Sequence, residues 1–207
     1  MKRSLLILAL IALNLLGGSG MAIAQADDNS AIMESIVKAG RDMKSMKCTF
    51  VQTVSSTLLQ EKQMSEGSIL YLPESRLRIA YTKPDAYAIS IEDGRMSMTR
   101  DGATHEVQGT QNRIFQGIAT MVMGFMNGDA LTDSKLFNSS VSVQDGSWVV
   151  RLDPRRKDLK RLFSAVVLTF DPSTSLLRSM EMIQSDGGST GIHITKAETG
   201  GDYEAEW

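Results

Sequence analysis

The 207-residue chain has one cysteine, two histidines, four prolines and no surplus of basic charge. A single cysteine, Cys48, cannot form an intramolecular disulfide, so packing has to supply stability. Its place in an alternating segment suits a small buried hydrophobe in a strand. His105 and His193 fall in separate strand-like segments with no second His, Cys or acidic group at metal-ligand spacing. That spacing excludes a zinc site from the expectation and leaves an isolated histidine no constellation in which to act as a base. Lys and Arg number 22 against 24 Asp and Glu. Such a balance provides no field for a phosphate backbone, so nucleic acid is not an expected partner.

A long hydrophobic run is also missing. Lys2 and Arg3 precede an apolar stretch from Leu5 to Leu16, which Asn14 and the small residues Gly17, Gly18, Ser19 and Gly20 interrupt. A bilayer-spanning helix needs roughly 20 apolar residues. The pattern therefore reads as a secretory signal peptide, with Ala22-Ile23-Ala24 and Ala24-Gln25-Ala26 as cleavage sequences. Removal of residues 1–26 is expected to leave a single soluble domain, 27–207, in the periplasm. No cysteine stands immediately after either cleavage site to accept a lipid anchor. Loss of Lys2 and Arg3 leaves 20 basic against 24 acidic side chains, a net charge of -4.

What is present is alternation. After one amphipathic helix from about Asn29 to Met46, carrying Ile32, Ile36, Val37, Met43 and Met46 and capped by Asn29 or Ser30, the period changes to two from Cys48. Leu77, Ile79 and Tyr81 alternate with Arg76, Arg78 and Ala80, and Tyr87, Ile89 and Ile91 with Ala88, Ser90 and Glu92. Turn signals at Pro73-Glu74-Ser75, Lys83-Pro84-Asp85, Glu92-Asp93-Gly94 and Asp101-Gly102 space the strands about ten residues apart, as in an antiparallel meander. From Asn112 to Asn127 a strongly apolar helix is predicted, stopped by Gly128. Strands return at Ser140–Val143, Trp148–Leu152, Ser164–Phe170, Leu177–Ile183 and Thr190–Lys196. The total is ten or eleven. The basic stretch Arg155, Arg156, Lys157, Lys160 and Arg161 reads as a short helical turn with a solvated face.

Gly187-Gly188-Ser189-Thr190-Gly191 matches the Gly-x-Ser-x-Gly nucleophile pattern, which needs a strand-to-helix elbow to raise the serine oxygen. Here the segment joins two strands, so the glycines serve a hairpin and a hydrolase built on Ser189 with His193 or His105 is discounted. No enzyme activity, cofactor or metal is expected. Eleven methionines follow residue 26. Flexible thioether side chains suit an apolar cavity for cargo of variable shape, although an ordinary methionine-rich core has the same composition.

Phe50-Val51-Gln52-Thr53, Leu77-Arg78-Ile79-Ala80-Tyr81-Thr82-Lys83-Pro84, Ile91-Glu92-Asp93-Gly94, Lys157-Asp158-Leu159-Lys160-Arg161-Leu162-Phe163, Leu168-Thr169-Phe170-Asp171 and Leu176-Leu177-Arg178-Ser179-Met180 occur in this order along the chain. As an ordered set they resemble the LolA family of outer-membrane lipoprotein carriers. The resemblance implies a mainly β, α+β fold: an incomplete antiparallel β-barrel of about eleven strands closed by a helical lid, with an apolar cavity between them for acyl chains. By analogy and alternation, Leu77, Ile79, Tyr81, Ile89, Ile91, Met96 and Met98 from the sheet and Ile118, Met121, Val122 and Phe125 from the helix are expected to line that cavity. Where family members carry an Arg-Pro pair that latches the lid, this chain has Leu72-Pro73, and Arg76 or Arg78 is the candidate substitute. The implied partners are acylated lipoproteins, an inner-membrane ABC-type release complex that uses ATP and an outer-membrane acceptor of unknown identity, with the carrier itself a monomer. A glycolipid or lipid-linked pigment precursor is the alternative cargo. A module that senses lipoproteins and signals to a partner is the alternative role.

Overall fold

A computed structural model of the protein describes residues 19–57, 62–72, 76–93, 95–107, 121 and 123–207, with side chains described from residue 28. Helix α1 (Ser19–Asp42) leads into six strands: β1 (Met46–Ser55), β2 (Gln63–Leu72), β3 (Arg76–Lys83), β4 (Tyr87–Glu92), β5 (Arg95–Arg100) and β6 (Ala103–Glu106). Residues 121 and 123–126 are helical, and α2 (Asp129–Thr132) follows. The second series is β7 (Phe137–Gln144), β8 (Ser147–Pro154), α3 (Lys157–Leu162), β9 (Phe163–Phe170), β10 (Leu177–Gln184) and β11 (Ser189–Thr199), with a 3-10 turn at Glu204–Glu206.

The eleven strands form one antiparallel sheet in the order β6-β5-β4-β3-β2-β1-β11-β10-β9-β8-β7. Each half is a meander whose short turns are local: Asp101-Gly102 and Asp145-Gly146 take positive φ, as two-residue hairpins require. The halves meet where β1 pairs with β11, from Met46 against Thr199 to Ser55 against Ser189. The sheet stays open, with β6 and β7 at its two edges. Strand number, antiparallel pairing and lack of closure agree with the expected incomplete barrel.

The helix boundaries differ from the sequence expectation. Helix α1 begins at Ser19, so Asn29 and Ser30 lie inside it rather than at its cap, and it ends at Asp42. Met46 opens β1, paired to both Tyr71 and Thr199. Ladder bonds on two sides outweigh the helical spacing that placed Met46 with Met43, and they leave Lys44 and Lys47 outside the helix. Most of the predicted helix from Asn112 lies outside the described residues. Its end agrees, because Gly128 adopts φ 82 and terminates the helical stretch.

One face of the sheet carries the core, in two clusters. Phe137, Val150, Leu152, Phe163, Val166, Leu168, Phe170 and Met180 from β7 to β10 pack with Ile36 of α1, Phe125, Ala130 and Leu131. Met46, Cys48, Phe50, Ile69, Leu77, Ile91 and Met96 from β1 to β5 pack with Met126. Ile192 touches both. Helix α1 approaches the helical stretch closely at Gly40, where a Cβ would stand 2.6 Å from the Asn127 carbonyl carbon and 2.7 Å from the Met126 oxygen.

Candidate functional site

Register organises the apolar face of β1 to β5 into three rows. Met46, Tyr71, Leu77, Ile91 and Met96 form the first. Cys48, Ile69, Ile79, Ile89 and Met98 form the second. Phe50, Gly67, Tyr81 and Tyr87 form the third. Each row is one strand pleat repeated across the sheet, because side chains two residues apart share a face.

Burial falls off across these rows. In the first, Leu77 is 0 % exposed and Met96 1 %. In the second and third, Ile79, Ile89, Met98, Tyr81 and Tyr87 are only half-buried, and so are Ile192 and Ile194 of neighbouring β11. The arrangement is an apolar floor with a sealed side and an accessible side. The accessible side is mainly apolar; at its outer edge the Arg100 guanidinium stands 5.8 Å from the centre of the Tyr87 ring and His105 lies opposite Met98. The Tyr81 hydroxyl donates to Gln52 Oε1 at 2.8 Å. Its ring meets Phe50 edge-on at 5.4 Å and stacks on Tyr87 at 4.6 Å. Burial pushes the Tyr81 phenol up to about 12, so it stays neutral. Gly67 makes this wall possible, since a Cβ there would fall 2.8 Å from the Phe50 ring.

The expected lining residues therefore divide. Ile79, Tyr81, Ile89 and Met98 share the accessible side, whereas Leu77, Ile91 and Met96 are buried in the cluster beside it. Met121 and Phe125 belong to the other cluster, Phe125 with its ring 6.0 Å from Phe137. The helix face that meets β1 to β5 instead carries Met123 and Met126. Ile118 and Val122 lie outside the described residues. Sequence alternation also contained Tyr87, which joins through its pairing with Tyr81, and Ile192 and Ile194, whose contribution depends on the β1–β11 pairing that no local signal reveals. Arg76 and Arg78 alternate with Leu77 and Ile79 and so occupy the opposite face. Arg76 is paired there to Glu204, and Arg78 lines a polar cleft with Ser90, Thr99 and Trp207.

The other chemical candidates are structural. Cys48 is 2 % exposed, and desolvation pushes its thiol up to about 11. Ser189 begins β11 beyond a turn in which Gly187 has φ 88, and its hydroxyl shares a hydrogen bond with that of Ser55 at 3.0 Å. No helix follows it to form a nucleophile elbow. Among the described residues no group of three His, Cys, Asp or Glu is placed to hold a metal ion, and no helix is long and apolar enough to cross a membrane.

Compared with curated protein sequences, the chain matches none. Among solved structures, the Pseudomonas aeruginosa MucA/MucB complex aligns at 16 % identity and TM-score 0.48, covering 84 % of this chain and 58 % of the other. A LolA superfamily protein from Nitrosomonas europaea aligns at 9 % identity and TM-score 0.43, covering 84 % and 94 %. The Mycobacterium tuberculosis lipoprotein LppX aligns at 12 % identity and TM-score 0.44, covering 81 % and 93 %. The chain thus spans little more than half of the MucB match. The family of the outer membrane lipoprotein carrier protein LolA matches residues 41–206, which takes in every strand of the sheet. With four-fifths of its length inside that match, the chain belongs to the LolA family of outer membrane lipoprotein carrier proteins.

Proposed function

We propose that the protein is a soluble periplasmic carrier, exported by a cleaved signal peptide spanning residues 1–26, that holds the acyl chains of lipoproteins on the apolar face of β1 to β5 and moves them from the inner to the outer membrane. The observation that carries this reading is the half-buried row Ile79, Ile89 and Met98 beside the Tyr81–Tyr87 stack. Exposed acyl chains cost about 0.8 kcal/mol per methylene in water, so a carrier has to cover them. It also has to release them. A surface that is mainly apolar and incompletely sealed suits reversible cover better than a closed core, and no covalent step is needed. In this reading an inner-membrane ABC-type complex loads the cargo using ATP, an outer-membrane acceptor receives it, and the carrier acts as a monomer.

Native mass spectrometry of protein purified from the periplasm of its host, followed by extraction of bound material, tests the proposal. A triacylated lipoprotein supports it and names the cargo. Free glycolipid or a lipid-linked precursor replaces the cargo while keeping the carrier. An empty protein that also refuses lipoprotein in vitro refutes carriage.

A further inference from the structure

The short helix α3 is exposed along almost its whole length. Only Leu159 is turned toward the core, where it packs against the β7 to β10 cluster. Arg155, Lys157, Lys160 and Arg161 make no ion pair among the described residues, whereas Arg156 is neutralised by Asp158 at 2.6 Å. Four uncompensated cations therefore sit within seven residues of a chain whose net charge is negative. Leu162 follows them directly and is 52 % exposed, among the described residues the one large exposed hydrophobe adjacent in sequence to basic residues. It also borders a cleft of about 570 Å³ lined by Met121, Phe163 and Met182, with Asp186 as its one carboxylate.

We propose that this surface docks the protein on a bilayer containing anionic phospholipid. Basic side chains around an exposed apolar one suit a bilayer interface: the cations meet headgroup phosphates while the leucine enters the acyl boundary. The charge is spread over exposed lysine and arginine side chains around a single leucine, Arg155 donating Nη1 to the Ser134 carbonyl at 2.8 Å, rather than around a contiguous apolar patch of the kind that marks a protein partner. Docking in this orientation turns the Met121–Met182 cleft, on the β7 to β10 side of the sheet, toward the membrane. The inference rests on the composition of this surface and not on the identity of any cargo.

Co-sedimentation with vesicles of phosphatidylcholine alone, and of phosphatidylcholine with about one third phosphatidylglycerol, tests it at low and high salt. Binding is expected to the anionic vesicles, to fall with added salt and to weaken about a hundredfold in the Lys157→Gln/Lys160→Gln/Arg161→Gln variant, at about fivefold per basic residue. Leu162→Ser is expected to weaken it about tenfold at unchanged charge. All four positions are exposed, so unchanged thermal unfolding verifies that the variants fold. Absence of binding, equal binding to both vesicle types, or full binding by either variant overturns the proposal. Cargo retention by the same variants is read separately, so failure here is distinct from failure of the carrier reading.

Discussion

Across 128 residues of sequence, Arg76 Nη1 donates to Glu204 Oε2 at 2.9 Å while Nη2 reaches the second carboxylate oxygen. The guanidinium also lies 5.6 Å from the centre of the Trp207 ring, and Lys47 pairs with Glu206 at 2.5 Å. The last residues of the chain are thereby tied across β1 and β3, on the face opposite the apolar floor. Ser45 adds to the tie by donating its hydroxyl to the Gly201 carbonyl at 2.7 Å.

This tie predicts an acid-sensitive contribution to stability. The hydrogen bond from Arg76, followed by its charge, holds the Glu204 carboxyl below its ordinary value of 4.5. A group depressed in the folded state stabilises above its unfolded pKa and loses that effect as pH falls through the folded value. The melting temperature of Glu204→Gln is therefore expected to lie below that of the parent at neutral pH, with the gap closing in acid. A gap independent of pH would show that the carboxylate is not the stabilising partner.

Gly40→Ala inverts an ordinary rule. In an exposed helix the change gains about 1 kcal/mol, but here the added carbon would meet the Asn127 carbonyl carbon at 2.6 Å. Backbone cannot yield as a flexible side chain can, so a net loss of about 1–3 kcal/mol is expected in denaturant unfolding. A more stable variant would mean that α1 does not lie against residues 126–127.

Leu77 and Met98 lie on the same sheet face with different burial, and their variants are expected to separate folding from cargo binding. Leu77→Ala opens a cavity at a fully buried position and is expected to cost about 2–5 kcal/mol. Met98→Glu places a carboxylate at a half-buried position, with a stability cost under about 1.5 kcal/mol. Its loss is expected in displacement of a fluorescent fatty acid, because a carboxylate against acyl chains lacks a partner. If Met98→Glu binds as the parent does, the accessible row is not the lipid surface.

Cys48 is expected to resist alkylation and disulfide exchange in the native protein at pH 8 and to react fully once unfolded. With its thiol pushed up from 9.0 to about 11, the thiolate is about a hundredfold scarcer. Rapid native labelling by a colorimetric disulfide reagent would contradict the buried placement between Ile69 and Ala197 of the flanking strands.

Local pattern carried much of the strand reading. Alternation located β3 and β4, and the later strands were recognised with ends exact or short by up to three residues; β7, expected from Ser140, begins at Phe137, where the Asp133 carbonyl already accepts its amide at 3.1 Å. Met46 shows where pattern failed. Its helical spacing from Met43 was real, yet two strand partners claimed it. The candidate site was legible as a face but not as a surface. Leu77 and Ile79 are equally apolar and share a strand and a face, and only packing from the other elements makes one core and leaves the other accessible.

The sequence by itself determined the features that depend on neighbours along the chain: the period of each strand, the positive-φ residues of Asp101-Gly102 and Asp145-Gly146, and the stop at Gly128. Backbone sterics and side-chain alternation act over a few residues and need no distant partner. Only the tertiary structure decided what depends on distant segments meeting. The β1–β11 pairing that unites the two meanders, the division of the helical methionines between the clusters, and the placing of Arg76 on Glu204 are of this kind. Each brings together residues with little or no mutual signal in the sequence, and the entropy lost in closing the chain between them is offset by the burial of many side chains at once.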